Sequence, residues 1–168
     1  MLPANLSPLE IFDLAIWNEA MSFATYDRLG RRVDLATLQS KLALLKKDEK
    51  DHKKTLKAHR RGLFGQAAPA ATEDDAKKIF VVVDVANVGD KESLVKALSE
   101  AIRAEEYGSY FYERMKDRIL DREARIFFEV LVSEGTFHAG ILKQQLALVR
   151  AARIVIDERG RSAVPAGS

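Results

Sequence analysis

The chain has 168 residues, 47% apolar and 31% charged, proportions that suit one globular domain around one core. Its 27 basic and 25 acidic residues leave a net charge of +2, which argues against a nucleic-acid-binding face. The absence of cysteine excludes disulfides and thiolate-ligated zinc or iron–sulfur centres, and fits a reducing, cytoplasmic setting.

The N-terminal MLPANLSPLE lacks the basic and apolar regions of a signal peptide. The first helix is expected to begin at Ser7-Pro8-Leu9-Glu10, where Ser7 and Glu10 form a capping box and Pro8 takes the first helical position. Phe12, Ala15, Ile16, Phe23 and Tyr26 then recur at helical spacing, and Gly30 is the expected stop. A second helix, capped by Asp34 or Thr37, carries Leu38, Leu42, Leu45 and Leu56 inward and is expected to end at Gly62. Residues 62–89 read as one long crossover, with a short helix after Thr72 and an extended stretch in IFVVVDVANVG. Within it the longest apolar run, from Ile79 to Val83, is five residues, whereas a membrane span needs about 20. Asp90 should cap a third helix from about 91 to 115, and Asp121 a fourth running to about Glu158; residues 159–168 are expected to form a flexible tail. The fold class implied is all-α: an antiparallel four-helix bundle over residues 1–158, made of two helical hairpins joined by a long crossover.

The two hairpins repeat each other at an offset of 86 residues. Glu19 maps to Glu105, Tyr26 to Tyr112, Leu45 to Leu131, His52 to His138 and Leu56 to Leu142. With three histidines and four tyrosines in the chain, a shared offset for Glu, Tyr and His is an improbable accident. Glu19 lies on the apolar stripe of its helix, as does Glu105, and an ionised carboxylate facing a core is costly unless paired or bound to a cation. Glu49 and His52, three residues apart, share a helical face, as do Glu134 and His138, four apart. Four carboxylates balance two divalent cations, and mixed oxygen and nitrogen donors suit iron or manganese and also accept zinc.

These residues resemble those of the ferritin-like superfamily, and within it the rubrerythrin-type domain. The resemblance is carried by AIWNEAMSFATY with KKDEKDH in the first half, and by AIRAEEYGSYFY with SEGTFH in the second, over roughly residues 8–158. It implies a lone Glu and a Glu-x-x-His pair from each hairpin, holding two metal ions, usually iron. Glu19 and Glu105 would be the lone carboxylates and Glu49 with His52 the first pair. Tyr26 and Tyr112 are expected either to hydrogen-bond carboxylates surrounding the metal ligands or to be buried core tyrosines.

The second pair departs from that pattern. Counted back from His138, the glutamate position holds Gly135, and Glu134 precedes it by one residue, about 100° around the helix. A π-bulge near Gly135 would bring Glu134 inward, and an i, i+4 pair can also bind a metal without one; otherwise a bridging ligand is lost. Two further departures concern rubrerythrin's chemistry. The cysteine-based rubredoxin domain is missing, so electrons must come from an external donor. Gly108 also stands where rubrerythrin has an additional glutamate, which weakens the case for peroxide reduction specifically. The expected function is a di-iron oxidoreductase that reduces peroxide or dioxygen or oxidises ferrous iron, as a homodimer. The alternatives are a non-enzymatic metal-binding protein and a degenerate scaffold.

Overall fold

Each helix begins where a side chain can satisfy its first free N–H groups. The computed structural model describes residues 2, 3, 5–152, 155, 156, 162 and 163. Helix α1, Pro8–Arg32, starts at the Ser7–Glu10 capping box; α3, Glu73–Ile79, starts at a Thr72–Asp75 box. Asp90 caps α4, Lys91–Met115, and Asp121 caps α5, Arg122–Ala151. Helix α2, Ala36–Phe64, differs: neither Asp34 nor Thr37 is its N-cap, but Leu35, which has no side-chain bond to offer. Gln39 stitches the turn instead, donating from Nε2 to the Val33 carbonyl at 2.7 Å.

Both expected glycine stops fall short. Helix α1 passes through Gly30 to Arg32, and α2 passes through Gly62 to end at Gly65, whose φ of +57° is the left-handed conformation that favours glycine. At its other end α5 stops at Ala151 rather than near Glu158. Lys91 donates to the carbonyls of Arg150 and Ala152 at 2.8 and 2.7 Å, and the backbone leaves the helix at Ala152. Val155–Ile156 then pairs antiparallel with Ser162–Ala163. Most of the expected tail lies outside the described residues.

Helix α1 packs along α2 and α4 along α5, giving two hairpins joined by the crossover. The crossover includes α3, and its extended stretch pairs with no strand among the described residues. It is held by burial of Phe80, Val85 and Val88, each contributing about 1.5–3 kcal/mol, and by Glu100, which accepts the Asp84 N–H at 3.2 Å.

Two apolar clusters fill the bundle. One gathers Leu29, Leu38, Leu42, Leu98, Leu142 and Val149; the other gathers Phe12, Leu56, Phe111, Phe128 and Leu131. Every bundle helix passes from one cluster to the other, with α2 and α4 running the same way. Between the clusters lies a polar layer. No helix among the described residues is long and apolar enough to cross a membrane.

Candidate metal centre

The polar layer takes one segment from each bundle helix: Glu19 from α1, Glu49 and His52 from α2, Glu105 from α4 and His138 from α5. Glu19, Glu49, Glu105 and His138 are buried, and His52 nearly so. Their donor atoms fall into two groups that share Glu49. Glu19, Glu49 and His52 form one, and Glu49, Glu105 and His138 the other, each with its donor atoms within 4.8 Å of one another. Glu49 reaches both ways. Its Oε2 lies 3.6 Å from Nδ1 of His52 and its Oε1 lies 3.0 Å from Nδ1 of His138. Nδ1 of His52 is also 3.1 Å from Glu19, and Nδ1 of His138 is 3.6 Å from Glu105.

Each hairpin steadies the other's lone carboxylate. The Tyr26 hydroxyl of α1 donates to Glu105 on α4, and the Tyr112 hydroxyl of α4 donates to Glu19 on α1. Burial raises both phenols well above their ordinary pKa, with the adjacent carboxylates adding to it, so they remain donors at neutral pH. Asn18 backs one of these bonds, donating from Nδ2 to the Tyr112 hydroxyl at 3.0 Å.

Among the described residues no lysine or arginine pairs with these carboxylates, and their ion-pair partners are the two imidazoles. Burial pushes Glu49 well above the usual carboxylate range, and the neighbouring Glu19 and Glu105 push it further. Glu19 goes the other way: burial would raise it, but hydrogen bonds with Glu49 and His52 hold it at about 2. Burial pulls both imidazoles down, yet Glu19 and Glu49 bring His52 up to about 10, and Glu105 and Glu49 bring His138 to about 11. The carboxylates thus favour protonated imidazoles, each carrying a positive charge into the layer.

Glu134 is not drawn into this layer. Helix α5 is continuous α-helix through Gly135, with no π-bulge. The Glu134 side chain, 38% exposed, instead lies 3.8 Å from the opposite ring nitrogen of His138, Nε2. Gly135 faces the layer, and the space its side chain would need is filled: a Cβ there would overlap the Ser109 hydroxyl and lie 3.6 Å from Oε2 of Glu105. Gly108 is treated similarly, since a Cβ there would lie 3.0 Å from Nδ2 of Asn18. His59 is half-buried against Phe127 and stands apart from the layer.

Sequence reasoning missed three residues here. Asn18 and Ser109 carried no signal beyond adjacency to the stripe. Asp48, whose Oδ2 lies 3.4 Å from Nε2 of His138, did carry one, because it maps to Glu134 at the repeat offset of 86.

A cavity of about 370 Å³ between α1, α4 and the crossover reaches Asn18 and Tyr26, whose side chains touch the layer's carboxylates. A family model described as Rubrerythrin matches residues 10–154. Among solved structures, a hypothetical protein from Pyrococcus furiosus superposes with a TM-score of 0.75 at 18% identity, over 88% of this chain and 92% of that one. At that identity the likeness is one of fold. No curated protein matches.

Proposed function

The chain belongs to the rubrerythrin family, and from that premise we propose that it is a di-iron oxidoreductase that reduces peroxide or dioxygen, or oxidises ferrous iron. The observation that carries the reading is Glu49, whose two oxygens face two histidines, each with a further carboxylate. Glu19, Glu49 and His52 would hold one ion, and Glu49, Glu105 and His138 the other. Hard oxygen and intermediate nitrogen donors fit iron, and manganese or zinc also suit them. Two bound irons, cycling between ferrous and ferric, would supply the electrons.

The chain's own residues do the rest. Glu49 sets the spacing of the two positions. Tyr26 and Tyr112 fix the orientation of Glu105 and Glu19 and keep their own protons. The two apolar clusters exclude bulk water on either side, and the cavity at Asn18 and Tyr26 gives a small oxidant a way in. An external electron donor completes this reading. A cytoplasmic homodimer fits this reading; Ile126, Val130 and Phe137 stand exposed along α5 and support self-association, which a monomer by light scattering would contradict.

Gly135 favours a second reading. Three carboxylates rather than four face the layer, which suits a protein that holds metal without turning over. Peroxide turnover by iron-loaded wild type, abolished in Glu49→Gln with the helical circular-dichroism signal retained, would support the enzyme. A fully active Glu49→Gln would sink it, and inert wild type with two bound irons would favour the second reading.

A further inference from the structure

His138 has two ring nitrogens, and the metal centre uses one. Its Nδ1 faces Glu49 and Glu105. Its Nε2 points the other way, into the seam between α2 and α5. The residue is 1% exposed, and Nε2 has no hydrogen-bond partner. A buried ring nitrogen left unpaired is costly, and native structures rarely tolerate one without reason. Two carboxylates flank it: Oδ2 of Asp48 at 3.4 Å and Oε2 of Glu134 at 3.8 Å. Neither has a lysine or arginine within ion-pair distance among the described residues; their one ion-pair neighbour is His138 itself.

We propose that Asp48, Glu134 and Nε2 of His138 form an outer divalent-cation site at the α2–α5 seam, distinct from the inner pair. The three donor atoms lie within 4.8 Å of one another. The two carboxylate oxygens stand 3.4 and 3.8 Å from Nε2, inside the limit of roughly 4.2 Å for two ligands that share one ion with bonds of about 2.1 Å. The two carboxylates come from repeat-related positions, each four residues before a histidine, yet both converge on His138. Their side chains are 24% and 38% exposed, so a hydrated ion reaches them from solvent and keeps water in its remaining positions. The one-residue shift that takes Glu134 out of the inner layer is what puts it here.

The site rests on the inner-pair reading for its company but not for its existence. A neutral imidazole has one free lone pair, so an ion on Nε2 and an ion on Nδ1 compete for the ring unless its last proton leaves to solvent. The outer ion therefore binds more weakly once the inner pair is filled. That makes His138 the residue through which outer and inner occupancy are coupled.

The test is equilibrium dialysis of metal-free full-length protein against Zn²⁺, comparing wild type with Asp48→Asn/Glu134→Gln. Neither substitution touches an inner-layer carboxylate, and circular dichroism checks the fold. The expected result is three ions per wild-type chain, the third the weakest, and two per variant chain. The same number in both proteins overturns the outer site, and if that number is two the inner pair stands. Unchanged stoichiometry with weaker inner affinity also overturns it, since it would mean that the two carboxylates only orient His138. A single ion in wild type that the variant loses would support the outer site and overturn the inner pair.

Discussion

The two hairpins carry the same positions 86 residues apart and fill them differently. The first has Glu19, Glu49 and His52; the second has Glu105, Gly135 and His138. Where the first hairpin has Phe23 the second has Ser109, and where the first has Asn18 the second has Ala104. The retained positions are those each half needs for itself: a lone carboxylate, an imidazole, and a tyrosine lent to the other half. The one that differs, Glu49 against Gly135, is a position whose work can be shared. A carboxylate with two oxygens can serve both ions at once, and Glu49 alone already faces both histidines. At the matching position of the second hairpin, Gly135, the space a side chain would need is taken by the Ser109 hydroxyl.

Glu49 faces the histidines of both halves, so its removal should have the largest effect. Glu49→Gln should weaken both ions, by more than the 10- to 100-fold or so typical of losing an outer hydrogen-bond partner. His52→Ala should weaken one. Elemental analysis after dialysis distinguishes the two outcomes, and equal losses would mean that Glu49 is not shared. The metal-free Glu49→Gln protein should melt no lower than wild type, because burial, and then Glu19 and Glu105, already disfavour the charged carboxylate it removes.

The imidazoles give a pH test of similar size. Both folded-state pKa values, about 10 for His52 and about 11 for His138, lie above the ordinary histidine value of 6.5. The stability they lend the metal-free protein is full below that value and is lost as pH rises through the folded pKa values. Metal needs both rings neutral, with the ligating nitrogen free of a proton. The melting temperature of metal-free protein should therefore fall between about pH 7 and 10, and the stabilisation by added Zn²⁺ should grow over the same window. A metal increment that shrinks with pH would show that the histidines are not ligands.

Restoring the missing residue tests the second half. Gly135→Glu alone should cost roughly 1–3 kcal/mol, because its Cβ overlaps the Ser109 hydroxyl. Adding Ser109→Ala should recover most of that and slow metal loss relative to wild type. If Gly135→Glu by itself melted at the wild-type temperature, Ser109 would not be occupying the vacated space.

Much of this was legible in the chain. The helix starts at Ser7, Thr72, Asp90 and Asp121 were readable because capping is a local bargain between a side chain and the next turn. The ends of α1, α2 and α5 were not, because glycine permits a stop without requiring one and the ends depend on distant partners such as Lys91. Five of the six expected metal-site residues meet in one layer, since helical spacing and the repeat place them there. Glu134 stands outside that layer, beside Nε2 of His138, for a three-dimensional reason. Its side of α5 depends on whether the helix bulges, and α5 runs as continuous α-helix through Gly135.

The smallest expected effect concerns Asn18, which has no equivalent in the second half. It donates to the Tyr112 hydroxyl at 3.0 Å and lies 3.4 Å from Oε1 of Glu19, so it fixes the tyrosine that fixes the carboxylate. Tyr26, on the other side, has Ala104 at the matching position and no such backing. Asn18→Ala should therefore weaken the ion held by Glu19 and His52 by about tenfold or less, and leave the ion held by Glu105 and His138 unchanged. Tyr112→Phe should weaken the same ion more, and Asn18→Ala added to Tyr112→Phe should do little further, because the amide acts largely through the hydroxyl. A loss shared equally by both ions would mean that the halves are coupled through Glu49 tightly enough to erase their differences. Additive losses at one ion would mean that Asn18 holds Glu19 directly.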